Sequence, residues 1–441
     1  MASNTKPAVP FSDWAAPSFS QESERIQTLR DNSLSVFKEL GLPNRRVEEW
    51  KYTDLTKLGK KSFGEAFAYD GGVETTSPFE KIESYKVTFV NGFYRVDMSD
   101  LTGLPSGVEI ATLGDGGQMP EWAETILCTN EVPTDHSVLA LNAALMGNGV
   151  VIRVAPGTTV EKPISLRFVN QHNGQSKSAS SFLRNVVLVE EGASLSILES
   201  HEGPTDADYF TSIASQFLVR QGASVEHTKI QNDGGCATHL STQLLNVENE
   251  ASFKGFYLNE GSETCRNEIH GTFVGEQAYI QLDGVFLGAG TQHLDNTTFV
   301  NHAVPSCDSS QIFKGVLDDS ARGVYQGQVV VEKDAQHTDG RQLVKTLLLS
   351  DKAEIDAKPE LKIFADDVKC AHGATAGDID EEQLFYLQSR GIDEVTARSL
   401  LVGAFLKEVV ERIDAEAIRD ICSAEISAWL NAHGKGKSNG A

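Results

Sequence analysis

The sequence predicts a mainly β protein built on a β-solenoid, with an N-terminal α/β segment before it and a C-terminal α-helical domain after it. Three observations carry this reading. From about Val132 to Lys369, short β-branched runs alternate with tight turns. The turns repeat one formula, a polar pair followed by Ala and a small or polar residue: Glu191-Gly192-Ala193-Ser194, Gln221-Gly222-Ala223-Ser224, Asn249-Glu250-Ala251-Ser252 and Glu276-Gln277-Ala278-Tyr279. The alanines at 193, 223, 251 and 278 lie 30, 28 and 27 residues apart, and the formula returns irregularly at Ala321, Ala335 and Ala353. A repeat of about that length, made of strands and tight turns, is the pattern of a solenoid. A β-sandwich is the rival, because it too uses short strands at regular spacing, but its turns need no common formula.

Residues 1–130 form the N-terminal segment. Ile26, Leu29, Val36, Phe37 and Leu40 recur at helical period between Glu22 and Leu40, and Gly41 with Pro43 stops the helix. A charged stretch with two aromatics, Trp50 and Tyr52, runs from Arg45 to Leu55. Tyr85–Val90 reads as a strand. Residues 131–375 form the solenoid core, where Leu195/Ile197, Phe253/Tyr257, Ile280/Leu282 and Leu361/Ile363 alternate with neighbours of other character, so that one strand face fills the axis. Residues 376–433 are helical. Asp378 is placed to cap a helix containing Leu384, Phe385 and Leu387 that ends at Gly391. A second helix aligns Leu401, Val402, Phe405, Leu406, Val409, Val410 and Ile413, and a third aligns Ile418, Ile421, Cys422, Ile426, Trp429 and Leu430. These helices are expected to form a lid on the open end of the solenoid, their outer surface left for a partner. Residues 434–441, rich in Gly, Lys and Ser, are expected to be loose.

Composition removes whole classes of function. The 441 residues carry 38 basic and 62 acidic side chains, a formal net charge of −24. Phosphate backbones and anionic lipid call for dense Lys and Arg, so neither nucleic acid nor a membrane is an expected partner. No apolar run approaches the roughly 18 residues of a membrane span. Met1 to Ser20 lacks a basic patch followed by an apolar core, so no secretory signal is read there and a cytoplasmic location is expected. The six cysteines form no C-x-x-C pair and read as reduced thiols, with Cys128, Cys236, Cys265 and Cys422 in core packing. Gly436-Lys437-Ser438 imitates the end of a phosphate-binding loop, but position 431, where the pattern requires Gly, is Asn431. No nucleotide is expected on this chain. No Gly-x-Ser-x-Gly elbow is present either.

The densest chemistry is Lys369-Cys370-Ala371-His372-Gly373. A thiol and an imidazole two apart on an extended strand share a face and suit a soft or borderline metal, and Lys369 favours thiolate. Two ligands leave the site open, so it is either a structural pair or a half-site completed by another chain. A second, weaker candidate for iron or zinc is His293 with Asp295, His302, Cys307 and Asp308, and His270 upstream. The alternative there is a polar solenoid face.

Longer stretches bring a family into view. Lys358-Pro359-Glu360-Leu361-Lys362-Ile363-Phe364-Ala365-Asp366-Asp367-Val368-Lys369-Cys370-Ala371-His372-Gly373-Ala374-Thr375 strongly resembles the signature of the SufB/SufD family, subunits of the Suf machinery for iron–sulfur cluster assembly. Leu384-Phe385-Tyr386-Leu387-Gln388-Ser389-Arg390-Gly391 fits as well, as do Lys345–Ser350, Gly323–Gly327 and the early Glu49-Trp50-Lys51-Tyr52-Thr53. These matches run in order from about residue 45 to 410. The Lys-Cys-x-His-Gly setting resembles the SufD branch, and the cysteine-rich N-terminal segment of the SufB branch is missing. SufD sequences commonly carry Ser where Ala371 stands, which leaves only a role for that hydroxyl in question.

The resemblance implies a right-handed parallel β-helix between N- and C-terminal helical domains, and a scaffold without catalysis of its own. It implies pairing with SufB through the end of the β-helix, and homodimers where SufB is absent. It implies docking of the SufC ATPase on the C-terminal helices, where Phe385, Tyr386 and Arg390 are the candidate contacts. It implies a part in iron acquisition, with His372 a ligand at the SufB interface for iron or a nascent, transient Fe–S cluster and Cys370 its supporting thiol. On this reading ATP-driven SufC dimerisation shifts the helical lids and exposes Cys370 and His372. Two other classes stay in view: a β-helix enzyme acting on polysaccharide through carboxylates such as Asp283, Asp295 and Asp308, and a solenoid that only docks other proteins.

Overall fold

A computed structural model describes residues 11, 22–73, 75–114, 119–129, 135–172 and 179–433. The expected loose tail, 434–441, and most of Met1–Ser20 lie outside the described residues.

From Gly149–Val154 onward successive strands alternate between two ten-stranded sheets, and from Ala179–Val189 onward each pairs in parallel with the strand two before it. Ser194–Glu202, Ser224–Asn232, Ser252–Asn259 and Tyr279–Gly288 follow one another in sheet B. Phe210–Val219, Thr238–Val247, Thr264–Phe273 and His293–His302 do so in sheet A. This is a parallel β-helix. The register stacks like positions into columns along the axis. Leu195, Val225, Phe253 and Ile280 make one such column, all buried in the central apolar cluster. Every coil thereby covers the apolar edge of the coil before it.

The turn formula has a mechanical reason. Gly192, Gly222, Glu250, Gln277, Ser306 and His337 all adopt positive φ at one corner of the solenoid. The residue after each is small and buried: Ala193, Ala223, Ala251, Ala278, Cys307 and Thr338. Their carbonyls take the N–H from the next coil, as in Ser224 to Ala193 (2.9 Å) and Asp308 to Ala278 (3.0 Å). Cys307 is therefore a member of the corner column. Ala321 and Ala353 belong to the opposite corner, with Gln292 below them. The irregular spacing in the sequence is two interleaved ladders.

Tyr85–Val90 is a strand as expected, and it joins sheet B beside Ile164–Val169. Val108–Leu113 extends sheet A, antiparallel to Gly149–Val154. Three N-terminal helices, α1 (Glu24–Leu40), α2 (Glu121–Thr129) and α3 (Ser137–Leu145), cover the outer face of sheet A through Phe182, Phe210, Val186 and Leu188. Ser23 caps α1, and Gly41 at φ 68° ends it.

The C-terminal helices are α4 (Glu381–Ser389), α5 (Glu394–Val410) and α6 (Glu416–His433). They do not form the expected lid on the open end. Val402, Leu406, Val409, Cys422 and Ile426 pack on Leu198, Ile230, Phe256, Leu258, Val285 and Val316, the outer face of sheet B. The cause is a second apolar stripe on those strands, pointing away from the axis. Lys314, buried under α5, fixes it by an ammonium contact to Glu408 (2.6 Å), and Arg412 reaches Asp283 (2.6 Å). Asp380, not Asp378, caps α4 by accepting from the N–H groups of Glu382 and Gln383.

Candidate functional site

The last coil consists of Glu354–Ile363 and Lys369–Gly377, joined by a short turn. Both strands end their sheets, so one edge of each lacks a partner among the described residues. The side chains of Lys369–Gly377 are largely exposed and those of Glu354–Ile363 mostly half-buried, while Ile363 and Phe364 at the turn are 41% and 61% exposed. An unpaired edge of this kind is a template for another strand.

Cys370 and His372 stand on this final strand and share its inner face, as their spacing predicts. Cys370 registers with Gly340 and packs on the end of the axial core. His372 ends the column Ile164, Ile197, His227, Gly255, Leu282, Gln311, Gln342. Its imidazole is exposed at the mouth without movement of any helix. The expectation that a lid must shift to reveal the pair is thus overturned.

The thiolate expectation fails as well. Burial pushes the Cys370 thiol up from its ordinary value, and the negative charge of Asp339 adds to this. Lys369 gives no counterweight because adjacent strand residues point to opposite faces. Cys370 is a protonated thiol at neutral pH.

Beneath the mouth the axis turns polar. Gln311 and Gln342 are buried one above the other, and among the described residues neither amide has a hydrogen-bond partner. The hydroxyl of Thr346, nearby on the same strand as Gln342, is in the same condition. These residues were missed in the sequence, although counting by twos from Leu282 through the corner ladder reaches them.

On the flank, Phe385 and Tyr386 of α4 are 71% and 56% exposed. The Arg390 guanidinium lies 5.1 Å from the Tyr386 ring centre, a cation–π pair left open to solvent. The three residues predicted as partner contacts therefore form one exposed aromatic and cationic patch.

The second candidate cluster does not assemble. His293 and Asp295 face outward from sheet A, whereas His302, on the same strand, faces the axis beside Phe273 and Ser309 Oγ (2.8 Å). An odd separation along a strand puts side chains on opposite faces. His293 and Asp295 are covered by the early Glu49–Thr53 motif: Thr53 Oγ1 lies 2.8 Å from His293 Nε2 and donates to Asp295. Trp50 covers Arg266, whose guanidinium holds Asp295 (2.6 Å) and Glu268 (3.2 Å). That motif is thus a clasp on the outer face of sheet A. The carboxylates Asp283 and Asp295 lie on different sheets and each is held by an arginine, so no acid–base pair arises with Asp308. Cys265 and Cys422 are buried as expected, but Cys236 lies exposed in a turn between strands.

With this geometry in place, the comparisons identify the class. Residues 170–405 match the SufBD core domain of the SUF system for FeS cluster assembly, and residues 11–166 match the SufBD protein N-terminal region. The chain belongs to the SufBD family and is a component of SUF iron–sulfur cluster assembly. It is 30% identical to an iron–sulfur cluster assembly SufBD family protein of Synechocystis, over 90% of each chain. It is 29% identical to the iron–sulfur cluster assembly protein SufD of Escherichia coli, over 93% of this chain and 95% of that one. SufD of Bacillus subtilis is 28% identical over 65% of each. No described helix is long and apolar enough to cross a membrane.

Proposed function

We propose that this chain is a non-catalytic scaffold subunit that pairs with SufB through the open last coil and offers His372, with Cys370 beside it, to iron or a nascent cluster. The observation that carries the proposal is the unpaired, exposed coil with both side chains on the inner face of its final strand. A second solenoid docked there continues both sheets, supplies the missing ligands and shuts water from the mouth. Without SufB, the same edges favour a homodimer. The SufC ATPase docks on the patch of Phe385, Tyr386 and Arg390. A pull on α4 and α5 reaches the solenoid through Lys314–Glu408 and Arg412–Asp283. The place of work is the cytoplasm.

The test is an anaerobic pull-down of the tagged chain from its own host, with iron and labile sulfide assayed on the eluate. Recovery of an ABC-type ATPase and a larger paralogue, with iron that falls in His372→Ala, supports the proposal. A chain that elutes alone and metal-free, or iron unchanged in His372→Ala, refutes it.

A further inference from the structure

Deep in the solenoid, away from the mouth, polar side chains fill the axis where apolar ones are the rule. Glu199, His201, His227, Lys229, Asp233 and His239 are all buried, His239 and Lys229 completely. Glu199 organises one side of the group. Its Oε1 lies 2.7 Å from His201 Nε2 and its Oε2 lies 3.0 Å from His227 Nε2. Because a carboxylate only accepts, the proton of His201 sits on Nε2, and its Nδ1 presents a lone pair.

That lone pair has no hydrogen-bond partner among the described residues, and neither does Asp233 Oδ1. His239 Nδ1 lies 2.9 Å from Asp233 Oδ2, and because the Lys229 ammonium at its far nitrogen (3.3 Å) only donates, the His239 proton sits on Nδ1, where a cation would displace it. Tyr209, close by, uses its hydroxyl oxygen to accept from the Gly234 N–H. The ligand atoms of His201, Asp233 and His239 all lie within 4.8 Å of one another. Buried acceptors without donors cost free energy, and two of them, His201 Nδ1 and Asp233 Oδ1, lie here beside the His239 ring.

We propose that His201 Nδ1, His239 Nδ1 and the Asp233 carboxylate form an enclosed site for a first-row divalent cation, zinc or iron(II). Two imidazoles and one carboxylate suit such borderline ions. The surroundings match an outer ligand sphere. Glu199 holds the far nitrogen of His201, and Gln231 Nε2 donates to Asp233 Oδ2 at 2.9 Å. Lys229 donates to Ser241 Oγ (2.7 Å) and to the far nitrogen of His239 (3.3 Å) and lies 3.6 Å from Glu199, so cation binding at His239 Nδ1 releases a proton. Its charge is thus engaged outside the three ligands. Glu199 and Asp233 together outnumber it, which leaves the enclosed group short of positive charge. A resident ion supplies that charge and clamps two sheets together. The site is distinct from Cys370 and His372 and stands whether or not a partner docks at the mouth.

The experiment uses the full chain carrying Cys370→Ala and His372→Ala, so that the mouth contributes nothing. After unfolding with chelator and refolding with cobalt(II), it is expected to hold one cobalt per chain with visible ligand-field bands of a low-coordinate nitrogen and oxygen site. Its melting temperature rises with cobalt. Asp233→Asn, folded by circular dichroism, is expected to lose both the bands and the rise. Copper(II) paramagnetic resonance on the parent double variant gives a second readout, with coupling to two imidazole nitrogens, should Asp233→Asn fail to fold. Absent bands in the refolded parent, bands that survive Asp233→Asn, or no imidazole coupling would overturn the site in favour of a proton or water among these groups.

Discussion

Gln342 lies one strand beneath His372 in register, and both side chains face the solenoid axis. Gln342 is buried with its amide unpaired, while His372 is exposed above it. Were a ligand to fix the His372 ring, this amide would be the neighbour in register able to turn and bond its other nitrogen. Gln342→Leu removes an amide that is buried and unsatisfied in the free chain, so its effect on folding is neutral or stabilising by about 1 kcal/mol. Iron retained by the assembled complex is expected to fall in Gln342→Leu and in His372→Ala alike. Equal iron in wild type and Gln342→Leu, with the same thermal midpoint, would leave the amide without a role.

Cys370 is a test of chemistry separated from folding. Its thiol is half-buried at the rim of the core, so Cys370→Ala removes little packing and is expected to cost about 1 kcal/mol or less. Alkylation of this thiol is expected to be slow at pH 7 and to accelerate as pH rises past the ordinary thiol range, since burial raises its pKa. Mass spectrometry of pulse-alkylated protein reads this directly. Fast labelling at neutral pH would show a thiolate and contradict the electrostatics described here.

The corner turns predict opposite signs for two substitutions. Gly192 has a φ of 64°, and a Cβ built on it meets open space. Gly192→Ala therefore probes backbone strain alone and is expected to cost about 1 kcal/mol. Gln277 occupies the equivalent turn position at φ 58° with a side chain the conformation disfavours. Gln277→Gly is expected to be neutral or stabilising by up to about 1 kcal/mol, because relief of strain opposes greater freedom in the unfolded chain. Urea midpoints at constant slope measure both, and the same sign for the two would refute the turn argument.

How much of this was readable in the residues depends on strand parity. The corner ladder was legible because Ala193, Ala223, Ala251 and Ala278 each close one full coil. The shared face of Cys370 and His372 was legible because the two are two apart on one strand. The docking place of α5 and α6 was not, since Leu198, Ile230, Leu258, Val285 and Val316 face outward yet resemble the axial residues beside them. Composition cannot separate two apolar faces of one strand. Glu199 and Lys229 were hidden for the converse reason: charge in a strand reads as a solvent face, and here it faces the axis. His293 and His302 show the simplest lapse, because their odd separation already placed them apart.

Glu260 gives the protein a stability that weakens toward alkaline pH. Its side chain is buried between the solenoid and α6, and burial, reinforced by the negative charge of Glu425, raises its pKa from 4.5 to about 8. A carboxyl raised in the fold keeps its proton where the unfolded chain has lost it, so the folded state binds more protons between these two values. Stability from this group is complete below about pH 4.5 and falls as pH rises toward 8. Glu260→Gln fixes the neutral form with nearly the same shape. It is expected to match wild type at pH 4.5 and to exceed it by about 2 kcal/mol at pH 8.5, allowing for relaxation around the charge. Thermal midpoints of the two proteins across that range check this. A Glu260→Gln curve that runs parallel to wild type would mean that the carboxylate is stabilised by a neighbour and is ionised throughout.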